Sequence, residues 1–283
     1  MSSLLDLLPQ LPVSQMMEEL INWITVNFSL LFDVITDAGT SLMGWMTSML
    51  LLVPPLVFIV LVMILGFYIS NKHYALPIFS GIGLVYVYNQ NLWGNMMNTF
   101  TLIIVASVIS IVLGVPLGIL MSKSSLAEKI IQPVLDFMQT MPAFVYLIPA
   151  VSFFGIGMVP GVFASVIFAL PPIVRFTNLG IRQVPDEIVE AAEAFGSTGW
   201  QKLYKAELPN AMSTIMAGAN QTVLLSLSMV VTASMIGAPG LGTNVLTALQ
   251  RGQVGAGFVS GFALVILAII VDRILQNTNT GEE

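Results

Sequence analysis

The chain contains no cysteine, which excludes disulfides and thiolate metal sites and leaves the redox compartment unwritten in the sequence. Charge is nearly as scarce: Asp, Glu, Lys and Arg make up 8% of the 283 residues, roughly a third of what a soluble domain carries. No Lys or Arg occurs in the first 71 residues, which hold the acids Asp6, Glu18, Glu19, Asp33 and Asp37. There is no Gly-x-x-x-x-Gly-Lys-Ser/Thr phosphate loop, so the chain has no means of its own to cradle ATP. The single histidine, His73, has no second histidine or carboxylate cluster near it in sequence, which argues against a metal site or a catalytic base.

What fills the chain instead is hydrocarbon. Hydrophobic residues are 56% of the total, and they gather in runs of the ~20 residues that a helix needs to cross a ~30 Å apolar layer. The short alternation of barrel strands is missing, so the expected fold class is all-α, a polytopic membrane helix bundle. Spans are expected at 47–69, 75–92, 98–121, 133–154, 161–180, 213–237 and 256–272. An eighth apolar stretch, 20–43, carries Asp33 and Asp37 four residues apart on one helical face and reads as an amphipathic helix at the interface. Threading seven spans from an external N-terminus puts Lys72, Lys123, Lys129, Arg175, Arg182, Lys202, Lys205 and Arg273 on the cytoplasmic side and leaves Arg251 outside. That asymmetry follows the positive-inside rule and places the C-terminus in the cytoplasm.

The longest polar interruption, 184–209, falls on that cytoplasmic side. Pro185 suits a first helical position, Asp186, Glu187 and Glu190 lie near the positive end of a helix dipole, and Ile188, Ala192 and Phe195 recur at i, i+4, i+7. Gly196 is placed to end this helix in a left-handed cap, and Thr198 with Gln201 reads as a capping box that opens a second helix running to about Leu208. Pro209 is expected to stop or redirect it. The product is a helix-turn-helix elbow with a modest apolar face, the shape that fits a groove on a partner subunit. An ordinary solvated loop is the plain alternative at this level of reading.

Glu190-Ala191-Ala192, three residues, Gly196, nine residues, then Ala206-Glu207-Leu208-Pro209 resembles the EAA loop of bacterial ABC importer permeases. Ala206 departs from the larger aliphatic residue usual there. Pro209-Asn210-Ala211-Met212, Ala219-Asn220-Gln221-Thr222, Leu227-Ser228-Met229-Val230-Val231 and Gly240-Leu241-Gly242 resemble the glycine betaine/proline betaine branch of that family, over roughly residues 97–275. The resemblance implies a type I ABC importer permease with an external segment at 1–46, two accessory helices at 47–96, a permease core at 97–275 and a cytoplasmic tail at 276–283. It further implies a homodimer in the lipid of a bacterial plasma (inner) membrane. Two copies of a separate ATPase, which bind ATP and Mg, and an extracellular or periplasmic substrate-binding protein would complete the assembly. Glu190, Ala191, Ala192, Phe195, Gly196, Leu203, Leu208 and Pro209 become the expected ATPase-coupling residues, with Glu190 and Gly196 setting the elbow's shape and Phe195 and Leu203 its apolar contacts. The cargo expected from this branch is glycine betaine or a related quaternary-ammonium osmoprotectant. Choline, carnitine or an amino acid are alternatives.

Other function classes fare worse on the residues. An ion-coupled secondary transporter needs ionisable groups near mid-membrane, whereas Asp136, Arg175 and Asp272 fall near the cytoplasmic ends of their spans. An intramembrane enzyme needs a nucleophile with a base, or paired carboxylates, and the spans offer neither. A DNA-reading elbow would set Glu187, Glu190, Glu193 and Glu207 against phosphate. Trp93, Tyr146, Phe153 and Phe154 read as interface anchors, and Gly114/Gly118 and Gly257/Gly261 as pairs that permit close helix approach.

Overall fold

A computed structural model describes residues 12–70 and 73–279. Expectations that fall on Asp6, Lys72 and residues 280–283 lie outside the described residues. Among those described, every regular element is helical: α1 (Val13–Asn27), α2 (Ser29–Leu52), α3 (Pro55–Ile69), α4 (Ala75–Asn89), α5 (Trp93–Lys123), α6 (Ser125–Thr140), α7 (Leu147–Phe154), α8 (Met158–Arg182), α9 (Asp186–Ala194), α10 (Gly199–Lys202), α11 (Leu208–Ala233), α12 (Leu241–Gln250) and α13 (Val254–Asn279). The fold is the membrane helix bundle expected.

The expected spans are redrawn in detail. Four apolar stretches can each cross a membrane by length: α5, α8, Gly199–Ile236 and Val254–Gln276. The expected span 47–69 is divided, because Pro54 and Pro55 interrupt the helix and leave Thr47 in α2. At 15 residues each, α3 and α4 are about 22 Å long. The expected span 133–154 is broken: α6 ends at Thr140, Pro142 forbids its continuation, and the chain turns by 107° into Ala143–Phe154. Tyr146 pins this bend by donating its hydroxyl to the Met138 carbonyl at 2.6 Å. The amphipathic helix expected at 20–43 is two helices instead, α1 and α2, meeting at 71°. Hydropathy reports how apolar a segment is and carries no information about where it bends.

The core is α8 clasped between α5 and α11, and glycine sets the spacing. A Cβ added at Gly114 would lie 2.3 Å from Ile173 Cγ2, and one at Gly118 would lie 2.5 Å from Thr177 Cβ and 2.6 Å from the Val174 carbonyl oxygen. Residues rise together along this pair, so α5 and α8 run parallel. On the other side Gly180 meets Ala211 and Thr214, and Gly218 meets Phe176 and Ile173, so α11 runs antiparallel to α8. Backbones brought this close gain dispersion along their length, the attraction that remains when surrounding lipid removes the hydrophobic drive between helices. Of the second pair, Gly257 packs at ordinary distance near Ala248 and Gly261 faces open space.

At the end of the bundle remote from residues 184–209, α12 fills a segment that reads from sequence as a polar connection. Positive φ at Gly237 and Gly240, +80° and +153°, turns the chain back. The Thr99 hydroxyl then accepts the Leu241 N–H at 2.8 Å, and Asn95 donates to Asn244 at 2.6 Å. The aromatics considered as anchors pack internally: Phe153 stacks on Phe32 with centroids 4.8 Å apart, Phe154 lies 4.9 Å from Phe163, and Trp93 meets Phe58 edge-on at 5.5 Å. The Thr47 hydroxyl donates to Thr101 at 3.0 Å and ties α2 to α5.

Candidate functional site

Residues 184–209 fold into the expected elbow, and the local chemistry explains each turn of it. Asp186 and Glu187 occupy the first turn of α9, where carboxylates offset the exposed N–H groups and dipole. Pro185 stands one position earlier than expected, at the N-cap. Gly196 has φ +78° and donates to the Glu193 carbonyl at 2.8 Å while Ser197 N–H reaches the Ala192 carbonyl at 3.1 Å. That pairing is a Schellman cap. Thr198 then accepts from Gln201 N–H at 3.4 Å, and the Gln201 carboxamide oxygen accepts from Thr198 N–H at 2.8 Å, so the capping box forms in full.

Pro209 does not end the second helix. Its missing N–H leaves the Lys205 carbonyl without an α-helical donor and its ring crowds that carbonyl. The chain responds with a π turn at Leu203–Glu207, in which Leu208 N–H reaches the Leu203 carbonyl five residues back. The helix passes through the proline and continues as α11.

Burial sorts the expected coupling residues into two sets. Glu190 and Ala191 are exposed and Ala192 half-buried. Phe195 sits at the C-cap of α9 and is 92% exposed, whereas Ile188 and Val189 of the same helix pack inward. Leu203 turns the other way: only 6% exposed, it packs with Ile181, Val184 and Ala211. Leu208 joins the margin of that cluster and Pro209 is exposed. The outward apolar surface of Phe195 is extended by two residues that the sequence reading missed, Trp200 and Tyr204, 81% and 75% exposed. Their four-residue spacing on a short helix, with Leu203 and Glu207 likewise paired, is the signal that separates the faces.

One ion pair fastens the elbow's root to the bundle, and two others tie α8 to α6 beneath it. Glu207, buried in the π turn, pairs with Lys123 at the end of α5. Arg182 binds Glu128 of α6 at 2.7 Å and the Met121 carbonyl of α5 at 3.0 Å, and Arg175 binds Asp136 at 2.6 Å and Gln139 at 2.7 Å. Lys202 and Glu193 close the elbow on itself. That hydrogen bond and charge hold the Glu193 carboxyl below the usual carboxylate range and Lys202 above its usual value. A groove of about 780 Å³ lies between Pro116, Leu120 and Lys123 of α5 and Trp200 and Leu203 of the elbow. Among the described residues no three His, Asp or Glu side chains gather where they could hold a metal ion.

The bundle and elbow together define a transport component that spans the membrane. Its fold is that of ABC importer permeases: two structures of inward-facing conformations of the MetNI methionine ABC transporter superpose with TM-scores of 0.57 and 0.59, over 64% and 66% of this chain and 93% and 95% of theirs, at 22% and 21% identity. The pattern of the binding-protein-dependent transport system inner membrane component family matches residues 110–279, and the chain belongs to that family. It is 54% identical to the glycine betaine/carnitine transport permease protein GbuB of Listeria monocytogenes, across 96% of this chain and 97% of GbuB. Identity to the glycine betaine transport system permease protein OpuAB of Bacillus subtilis is 45%, across 96% of both. To the glycine betaine/proline betaine transport system permease protein ProW of Escherichia coli it is 43%, across 94% of this chain and 75% of ProW.

Proposed function

We propose that this chain forms the solute path of an ATP-driven importer of glycine betaine and related quaternary-ammonium solutes. It works as a homodimer with two copies of a separate ATPase and an external binding protein, its N-terminus outside and its C-terminus in the cytoplasm. Residues 97–275 form the permease core, 47–96 its two accessory helices and 1–46 an external segment. The observation that carries the reading is the elbow: a double-capped projection with Phe195, Trp200 and Tyr204 turned outward, on a chain whose relatives GbuB, OpuAB and ProW are named for betaine transport. Exposed aromatics rooted in rigid backbone are the usual anchors of a protein interface. Lys123, Arg182, Lys202 and Lys205 cluster around this end, in keeping with a cytoplasmic face.

In this mechanism closure of the ATPase dimer displaces the two elbows. Leu203 and the Lys123–Glu207 pair carry the displacement into α8 and α5, the Arg182–Glu128 pair passes it from α8 to α6, and glycine packing makes α5, α8 and α11 move together as a rigid body. The test is uptake of radiolabelled glycine betaine by the permease co-expressed with its ATPase and binding protein in a strain lacking other betaine importers, native against Gly196→Pro at equal membrane abundance. Proline requires φ near −65° and cannot adopt the +78° of Gly196, so the substitution abolishes native uptake. Uptake that survives it refutes the coupling role. Carnitine, which shares the name of GbuB, is the second reading, and transport of carnitine without betaine would establish it.

A further inference from the structure

The helices of this bundle turn different chemistry outward. Exposed positions on α5 are Val108, Val112, Leu113 and Leu120, and on α13 Phe258, Phe262 and Val265, as lipid demands. On α11 the apolar Met212 is exposed on one side, whereas the exposed Asn210, Ser213, Ala217, Gln221 and Ser228 fall within one third of the helix circumference on another. Gln221 is 13 residues from the start of α11, about 20 Å along it and so deep within the apolar layer. Asn210 and Ser228 satisfy themselves on carbonyls four residues back, at 2.7 and 3.1 Å. Gln221 has no such partner among the described residues, and the neighbouring Asn220 buries a carbonyl oxygen that accepts no hydrogen bond. An unpaired amide facing hydrocarbon costs several kcal/mol, and nothing in the packing of one chain offsets it.

We propose that this stripe of α11, centred on Ser213, Ala217 and Gln221, lines the water-filled path through which the solute passes. The proposal rests on the importer reading and supplies the path that it leaves unspecified. The chemistry suits a zwitterion. Hydroxyl and amide donors meet a carboxylate, amide oxygens meet a cationic head that has no N–H to donate, and the absence of fixed charge on the stripe gives neither end a deep well. A small residue, Ala217, between the polar ones leaves room beside the amide of Gln221.

Because the chain lacks cysteine, single cysteines report position directly. Ser213→Cys, Ala217→Cys and Gln221→Cys, with Val112→Cys and Val265→Cys as lipid-facing references, are exposed to a membrane-impermeant trimethylammonium thiosulfonate on both sides of the membrane. The assembled transporter turns over with ATP during exposure, and modification is read by mass on the permease chain. The stripe positions react at least about tenfold faster than the references, since a thiolate forms in water and not in lipid. Rates equal to the references overturn the proposal. Disulfide cross-linking between two copies at Gln221→Cys without modification also overturns it, by making the stripe a dry seam. The result is independent of cargo: modification without betaine uptake keeps the path and removes the substrate reading, whereas betaine uptake without modification does the reverse.

Discussion

At Gly114, Gly118, Gly180 and Gly218, in the α5–α8–α11 core, an added Cβ would meet a neighbouring helix within 3.0 Å or closer, whereas at Gly196 and Gly199 in the elbow it would meet nothing within 4 Å. In the core, glycine is there so that backbones can touch. In the elbow, Gly196 is there for its left-handed φ, and Gly199 lies within the Thr198/Gln201 capping box that holds the turn by hydrogen bonds. The core is therefore stiff because it has no space, and the elbow's turn because a Schellman cap and a capping box hold it. A stiff projection on a stiff block transmits a push. What joins them is a short set of side chains, Leu203 and Glu207 with Lys123, and these are where the comparison can be broken.

The largest effect belongs to the core. Gly118→Val drives a branched side chain into the Val174 carbonyl and Thr177, an overpacking cost of about 1–3 kcal/mol or more. The thermal midpoint of the detergent-solubilised protein falls and membrane abundance with it, while Gly261→Ala, in open space, leaves both unchanged. The joint comes next. Lys123→Ala strands the carboxylate of Glu207, whose side chain is 5% exposed, at a cost of about 1–3 kcal/mol, toward the low end because Lys123 itself is partly solvated. ATP hydrolysis by the assembled transporter then persists while uptake falls, a split that Glu207→Gln, which keeps a hydrogen-bonding partner, shows more weakly.

The smallest effect lies on the elbow's surface. Glu193 is held below its usual range, so the stability it contributes is present above the ordinary carboxylate pKa and is lost as pH falls through the lowered value. Lys202 is held above its usual value, so its contribution is present below the ordinary lysine pKa and is lost as pH rises through the raised one. Between those limits, about pH 5 to 9, the pair is constant. Lys202→Gln lowers the thermal midpoint at neutral pH only slightly, as an exposed pair should, and raises the titration midpoint of the Glu193 carboxyl, read by carbon NMR.

The elbow was legible because its signals are local. Gly196 and the Thr198/Gln201 pair prescribe caps within four residues of themselves, and each forms as expected. Where the outcome depends on what lies across the fold, the sequence was silent. Leu203 and Trp200 look alike as apolar residues of one short helix, and only the position of α8 decides that Leu203 faces in. Pro209 marks a break in the α-helical pattern, but its local rule does not say whether the helix stops or, as here, widens into a π turn and continues. The bend at Pro142 is invisible to hydropathy, since both arms are apolar. The polar face of α11 could have been read from the periodicity of Ser213, Ala217 and Gln221, had the span been treated as a helix with sides rather than as a uniform apolar run.

In the function proposed above, the exposed aromatics of the elbow are where the ATPase attaches. The direct measurement is the amount of ATPase subunit that co-purifies with the permease carrying Phe195→Ala, Trp200→Ala and Tyr204→Ala together, at native abundance and with a native thermal midpoint. Interface anchors of this kind are worth about 2 kcal/mol or more each, so the triple variant loses the ATPase and betaine uptake together. ATPase retained at the native ratio, with uptake intact, would contradict the account.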